Sequence, residues 1–321
     1  MGMKTMRHLF IVNPAAGDGK HTAELSDRIS QAVLNWDANA DFEIYQTEAP
    51  LDAIRKIEEE AQKHAALRVY ACGGDGTLNE CVCGAAEKPN VAVTHFPCGT
   101  GNDFIKAFGE ERERFFALEE LLRGEERAID VIRIGDRYSV NICSVGIDAR
   151  IGCNVHKYSK IPVIGGAAGY VISTVVELIK GIKRPIRAIV NEQVFEGDKT
   201  LICVCNGTSY GGVFNPMPDA RVDDGLLDIL VVKGVSRLAF AKLVGRYAKG
   251  RFRELSKLCD YVRVQSIRIE APEELLVNVD GEAMRDSTLE MTVVPRGLNF
   301  IFPAKMAYFK NESKEFEEIK R

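Results

Sequence analysis

The segment Cys72-Gly-Gly-Asp-Gly-Thr-Leu-Asn-Glu80 constrains this chain more than any other. An apolar run, Ala65-Ala-Leu-Arg-Val-Tyr-Ala71, precedes it and reads as a short buried strand. A helix-like segment around Leu78 to Ala86 follows. Strand, glycine turn and helix start together suit a phosphate. Glycine permits positive φ and lets main-chain N–H groups approach an anion closely. The helix N-terminus adds N–H groups without intrahelical acceptors and a positive dipole end. Asp75 is the odd member, because a carboxylate repels phosphate. It makes sense if it binds a metal, accepts a proton or orients a hydrogen-bond network. No Gly-Lys-Ser/Thr closes the loop, so it is not a Walker P-loop, and it lacks the Gly-x-Gly-x-x-Gly dinucleotide spacing. The alternative is a plain tight turn between strand and helix.

The flanking pattern supports a ligand-binding α/β domain. His8 to Asn13, Phe42 to Gln46 and Val91 to Phe96 are strand-like, while Lys20 to Asn35 and Leu51 to Lys63 have amphipathic spacing. This alternation predicts a mostly parallel sheet covered by helices. Ligands of such sheets sit beyond the carboxyl ends of the strands. Asn13, Thr47, Gly73 and Thr100 all fall there. Glu110 to Arg127 reads as a charged amphipathic surface helix. After Ile129 short β-rich runs recur, at 128–134, 137–143, 186–190, 201–206, 227–232, 262–269, 275–279 and 289–294. Turn residues separate them, which suggests a sandwich or barrel. Helical insertions are expected at about 151–182 and 236–258. The expected division is an α/β nucleotide-binding domain at 1–129, a β-rich domain at 130–303 and a terminal helix or tail at 304–321. The cleft between the domains is the expected active site.

Composition excludes more than it identifies. A formal net charge of −4 gives no global argument for nucleic acid or an anionic membrane. Nine scattered cysteines without framework spacing suggest reduced, buried thiols in a cytoplasmic protein. The start of the chain has no signal-peptide apolar region. The longest apolar run, Ile161 to Val176, is short for a membrane span and carries three glycines and a proline.

Further motifs sharpen the reading. Asn13-Pro-Ala-Ala-Gly17, Gly73-Gly-Asp-Gly-Thr77, Pro97-Cys-Gly-Thr-Gly-Asn-Asp-Phe104, Asp223-Asp-Gly-Leu-Leu-Asp228 and Val279-Asp-Gly-Glu282 occur in this order. The glycine loop alone resembles that of diacylglycerol, sphingosine and NAD kinases and, more distantly, phosphofructokinases. The whole set resembles the soluble bacterial diacylglycerol-kinase-type lipid kinases, over roughly residues 7 to 303. Gly-Thr-Gly-Asn-Asp-Phe separates it from NAD kinases.

That resemblance implies an NAD-kinase-like, Rossmann-like first domain, a sandwich-like second domain, and ATP and Mg²⁺ as cofactors. It implies that Gly73, Gly74, Asp75, Gly76, Thr77, Leu78 and Asn79 hold the phosphates, with Thr100 and Asn102 nearby. Asn13 and Thr47 would lie toward base and ribose. Asn102 and Asp103 could equally cap the helix that begins at Phe104. Glu282 is the favoured proton acceptor, Asp280 a metal ligand or alternate base, and Asp75 a third candidate. Without the resemblance, Asp280-Gly-Glu282 reads as a hairpin turn. A structural Mg²⁺ site is implied at the Asp224 carboxylate and the main-chain carbonyls of Arg221 and Leu226, with a solvent-facing turn as the alternative.

The implied reaction is phosphoryl transfer from ATP to a lipid alcohol, diacylglycerol first. Sphingoid bases and phosphatidylglycerol remain open. The basic-apolar region from His156 to Arg187 could dock on an anionic bilayer, or be a buried helix with snorkelling lysines. A cytoplasmic, transiently membrane-associated enzyme follows, with a homodimer left open. The rivals are an NAD kinase and a catalytically silent nucleotide- or lipid-binding regulator.

Overall fold

The computed structural model describes residues 6–14, 22–159 and 176–309. The chain divides into two compact units, one of residues 1–129 and 297–321 and one of residues 130–296.

The first unit is built on strands β1 (Arg7–Val12), β2 (Asp41–Gln46), β3 (Leu67–Gly73) and β4 (Val91–Pro97). They pair in parallel in the order β4-β3-β1-β2. Nearly every residue of β1, β3 and β4 is buried, the mark of a sheet covered on both faces. Helices α1 (Thr22–Trp36), α2 (Asp52–Lys63) and α3 (Asp75–Ala85) supply the crossovers. Gly84 brings α3 close to α2, since a Cβ there would lie 3.1 Å from the Ile57 side chain.

The end of the last strand also belongs to this unit. Asn299 and Phe300 pair in parallel with Ala92 and Val93. Phe300 and Phe302 join Phe104, Phe108, Phe115 and Phe309 in one aromatic cluster, which gives residues 297–303 their place here rather than with the β-rich part. Of the predicted tail, residues 310–321 lie outside the described residues. The expected helix at 110–127 is not continuous. A 3₁₀ segment, Phe104–Phe116, is kinked at Gly109 (φ 58°), and the short helix α4 (Leu118–Leu122) follows it. Burying Phe104, Phe108 and Phe115 against the sheet took precedence over regular helical spacing.

The second unit takes the rest of β5 (Glu125–Ile134), then β6 (Arg137–Ser139), β7 (Ile142–Gly146), β8 (Arg184–Pro185), β9 (Arg187–Val190), β10 (Gln193–Phe195), β11 (Asp198–Cys205), β12 (Leu227–Lys233), β13 (Cys259–Val264), β14 (Ser266–Val279) and most of β15 (Glu282–Phe302). The order β13-β12-β11-β7-β14-β15 is antiparallel throughout. Residues alternate between two cores, as strand periodicity requires. Ile202, Val204, Ile229 and Val231 face an all-β core with Val277 and Met291. Leu201, Cys203, Leu230 and Val232 face the other side, covered by Ile147 of α5 (Ile147–Ser159) and by Phe240 and Leu243 of the helix Arg237–Tyr247. The insertion expected at 151–182 thus starts earlier, and residues 160–175 of it lie outside the described residues. No helix among the described residues is long and apolar enough to cross a membrane. All nine cysteines are free.

Two histidines of the first unit are buried in neutral form. Burial pushes His8, hydrogen-bonded to Tyr70, down to about 4, and burial does the same to His95. Both titrate near 6.5 when unfolded. The unfolded chain therefore binds more protons between those values. Stability is complete above about pH 6.5 and declines toward pH 4, by up to about 1.4 kcal/mol per pH unit for each histidine. Urea unfolding at pH 7 and pH 5 checks this: His95→Gln should lose less stability on acidification than the parent, and equal losses would contradict the assignment.

Candidate active site

Parallel pairing sets the ends of the first unit's strands side by side. Val12 is in register with Gln46 and with Cys72, and Gly73 with Pro97. Asn13, Thr47, Gly74 and the loop at 98–103 therefore emerge along one edge. Thr47 N–H donates to Val12 O (3.0 Å), and Asn13 Nδ2 donates to Thr77 Oγ1 (3.2 Å). Of the Asn13–Gly17 motif, residues 15–17 lie outside the described residues.

The glycine segment is shorter as a loop than its sequence suggests. β3 runs through Gly73, Gly74 is the N-cap, and α3 begins at Asp75. Asp75, Gly76 and Thr77 form the first helical turn, whose N–H groups have no intrahelical acceptors. Leu78 is different, since its N–H already donates to Gly74 O (3.1 Å) and its side chain is buried. Asn79 is also buried, with its Oδ1 near the Cys83 thiol. Thr77 is buried as well.

The glycines serve close approach, not positive φ. Neither Gly73, Gly74, Gly99 nor Gly101 has a positive φ, and the left-handed residue here is Asn102 (φ 49°). A Cβ on Gly73 would sit 2.3 Å from Thr77 Oγ1. One on Gly99 would sit 2.6 Å from Gly74 Cα, and one on Gly101 2.5 Å from Asp75 Oδ2. The two glycine loops are thus packed backbone to backbone. Asp75 Oδ1 accepts from Asp103 N–H (2.5 Å), which ties the second loop to the start of α3. Of the roles open to it, Asp75 visibly fills that of network organiser. Asp103 does not cap the following helix; its carboxylate accepts from Lys106 Nζ (2.5 Å). Asn102 Nδ2 donates to Gly99 O (2.9 Å), while its buried Oδ1 has no hydrogen-bond partner. Thr100 is exposed at the tip of this loop. His95 completes the support, with Nε2 3.1 Å from Gly73 O, which also accepts from Cys98 N–H (2.8 Å). Sequence reading missed His95, because one polar residue in the run Val-Ala-Val-Thr-His-Phe gives no local signal.

In the second unit, Asp280 and Gly281 form the β14–β15 turn, both with positive φ (49° and 99°). The Asp280 carboxylate is heavily engaged. Oδ1 accepts from Ser139 Oγ (2.6 Å), Asn141 N (3.2 Å) and Ile142 N (2.9 Å), and Oδ2 from Val140 N (2.9 Å). Gly281 N–H donates to Asn278 Oδ1 (2.7 Å). Glu282, the first residue of β15, is exposed on this fixed turn. Its charge reaches Cys153 of α5, whose thiol is pushed up to about 11 by burial first and by Asp148 and Glu282 next. Asp148 is itself buried, accepts from Ser144 Oγ (2.6 Å) and Tyr210 OH (2.7 Å), and is raised by that burial.

The turn at 221–226 carries its own cation. Asp224 Oδ1 accepts from Leu226 N–H (3.0 Å), and Oδ2 pairs with the Arg263 guanidinium. The Arg221 side chain pairs with Asp223 in two bonds of 3.0 and 2.9 Å. Gly225 N–H donates to the buried Asp130 (2.6 Å). Burial raises Asp224, Arg263 lowers it, and Asp228 and Asp130 raise it further. Mg²⁺ wants several oxygen ligands, and here the one carboxylate is already charge-compensated. No group of three His, Cys, Asp or Glu among the described residues could hold a metal ion. As arranged, these residues do not fit Mg²⁺ while Arg263 is in place.

Comparison with known proteins agrees with both halves. Residues 7–134 match the family described as the diacylglycerol kinase catalytic domain. Residues 141–302 match that described as the YegS C-terminal NAD kinase beta sandwich-like domain. A diacylglycerol kinase of Staphylococcus saprophyticus is 29% identical over 280 residues, covering 86% of this chain and 88% of the relative. A Shewanella frigidimarina protein named "Probable lipid kinase YegS-like" is 28% identical over 259 residues, covering 78% and 81%. A crystal structure from Bacillus anthracis, provisionally described as a diacylglycerol kinase, superposes with a TM-score of 0.74 at 27% identity, covering 96% of this chain and 98% of that one.

Two outcomes follow from this geometry. Gly99→Ala forces two backbones apart and should destabilise the first unit by about 1–3 kcal/mol in urea titrations, with loss of nucleotide affinity; a silent substitution would contradict the packing. Arg263→Gln uncovers Asp224, so Mg²⁺ should raise the melting temperature of the variant and leave the parent unmoved. A parent equally stabilised by Mg²⁺ would show that the arginine gives way to the metal.

Proposed function

The chain belongs to the diacylglycerol kinase catalytic-domain family, and we propose that it transfers the γ-phosphate of MgATP to the hydroxyl of a lipid alcohol, diacylglycerol first. The family makes it a kinase-type enzyme; donor and acceptor are the proposal. The observation that carries the donor is the start of α3. Gly74 and Gly99 lie in backbone contact there, so N–H groups of the first turn can meet a polyphosphate without Cβ atoms between. Asn13 and Thr47, at the ends of β1 and β2, supply polar groups for the rest of the nucleotide.

Phosphoryl transfer leaves little covalent work to the protein; positioning and charge stabilisation dominate. The hydroxyl proton still needs an acceptor. Asp280 spends its oxygens on Ser139 and the three N–H groups of residues 140–142, so we assign it to holding the turn. Glu282 is exposed on that turn, and we assign it as the base. A lipid alcohol is a weak acid, so proton removal accompanies attack on the γ-phosphorus. The bond to the ADP oxygen breaks as the new P–O bond forms. Asp75 acts through the second glycine loop, not on the proton. The Mg²⁺ of the reaction is that of the nucleotide substrate.

ADP release in mixed micelles tests this, with diacylglycerol, a total bacterial lipid extract and NAD as alternative acceptors. Turnover on diacylglycerol is expected. Glu282→Gln should lower kcat about 10²–10⁴-fold while leaving the KM for ATP nearly unchanged. Asp280→Asn should act on stability as well, costing about 1–3 kcal/mol through the stranded donors. Turnover only on NAD, or a fully active Glu282→Gln, would overturn the assignment.

A further inference from the structure

His95 sits near the end of β4, in register with Ala71 of β3, and is fully buried. Its Nε2 lies 3.1 Å from Gly73 O. A carbonyl oxygen only accepts, so Nε2 carries the proton. Nδ1 is buried too and has no hydrogen-bond partner among the described residues. In the neutral ring it is a bare acceptor. A second proton there would be a buried donor with nothing to receive it. Burial pushes the ring down to about 4, although the Gly73 bond opposes this. The ring is thus fixed in one neutral tautomer, with its single N–H aimed at the end of β3.

Gly73 O receives two donors from the β4 side, His95 Nε2 and Cys98 N–H (2.8 Å). The peptide between Gly73 and Gly74 is trans and planar, so its N–H points opposite to its C=O. β3 lies between β4 and β1. With the carbonyl held toward β4, the Gly74 N–H is turned toward the β1 side. There the paired residues of β1 stop at Val12. Asn13 emerges at that edge, its Nδ2 donating to Thr77 Oγ1. The Gly74 N–H has no acceptor among the described residues. A peptide between two glycines can take either orientation at little steric cost. Turned over, it would face the same edge with a carbonyl oxygen, which repels phosphate. Of the two donors that prevent this, the Cys98 N–H belongs to the second glycine loop, and His95 Nε2 to the sheet.

We propose that His95, as its Nε2–H tautomer, is a positioning residue for the nucleotide, holding the Gly73–Gly74 peptide so that the Gly74 N–H faces the polyphosphate. It acts through the peptide and touches neither substrate. The inference rests on the reading of the start of α3 as the phosphate cradle. A packing role in the run Val-Ala-Val-Thr-His-Phe would need only the volume of the ring, which an aliphatic side chain also supplies. The positioning role needs the donor.

Two substitutions separate donor from volume. His95→Leu fills the space without an N–H, whereas the side-chain amide of His95→Gln can donate from near the Nε2 position. In the full chain, His95→Leu should raise the KM for MgATP about tenfold, with kcat changed less and the KM for the lipid unmoved. His95→Gln should restore the KM for MgATP to within about twofold of the parent. NMR of the parent with isotope-labelled histidine should show Nε2 protonated and Nδ1 bare. On binding a non-hydrolysable MgATP analogue, the Gly74 amide proton should shift downfield in the parent and stay in place in His95→Leu. The opposite tautomer, or a Gly74 amide unmoved by bound analogue, would overturn the proposal even if the leucine variant does not fold. So would a leucine variant with the parent's KM, or a glutamine variant as impaired as the leucine one. An analogue that does not bind removes the cradle and the proposal with it. A Gly74 shift that depends on His95, with no lipid phosphorylated, would sink the kinase reading and leave the positioning role standing. Lipid phosphorylation with a silent His95→Leu would do the reverse.

Discussion

The backbone contact between Gly74 and Gly99 is the constraint on which the nucleotide-side arrangement depends. A side chain at Gly99 would collide with the Gly74 Cα at 2.6 Å. Because it is absent, the loop after β4 lies directly over the start of α3. The Asp75 carboxylate can then reach Asp103 N–H, and Asn102 is held with a positive φ. His95 fixes the strand end below through Gly73 O. Each of these is a local satisfaction of a polar group. Together they stiffen the start of α3, whose first N–H groups have no intrahelical acceptors.

The second unit shows the same economy at another turn. Asp280 adopts a left-handed backbone that costs an L-residue energy and recovers it by accepting four hydrogen bonds from residues 139–142. That leaves Glu282 on a turn held by four hydrogen bonds, which suits the role proposed for it. At 221–226, a guanidinium supplies the positive charge that acidic side chains around Asp224 demand. In this arrangement Arg263 meets that requirement.

Much of this was legible in the sequence, and the reasons are physical. Strands β1, β3 and β4 are fully covered, so their apolar runs are continuous and unambiguous. The glycine motifs marked where two loops pack together at the carboxyl ends of the strands, because that backbone approach admits no Cβ. What could not be read were properties set by distant partners. The sequence left several roles open to Asp75 and Asp280, because the donors that engage them lie 28 and about 140 positions away. Phe104, Phe108 and Phe115 followed the demands of Phe300 and Phe302, not a helical period. Arg263 as the counter-ion of Asp224 is 39 positions off and carries no motif.

Amide hydrogen exchange with and without a non-hydrolysable MgATP analogue tests most directly the proposal that the start of α3 is the triphosphate cradle. Protection concentrated at residues 73–77 and 98–103, with smaller changes at Asn13 and Thr47, is the predicted result. Tight binding of the analogue with those amides unchanged would contradict it, and would move the nucleotide away from the paired glycine loops altogether.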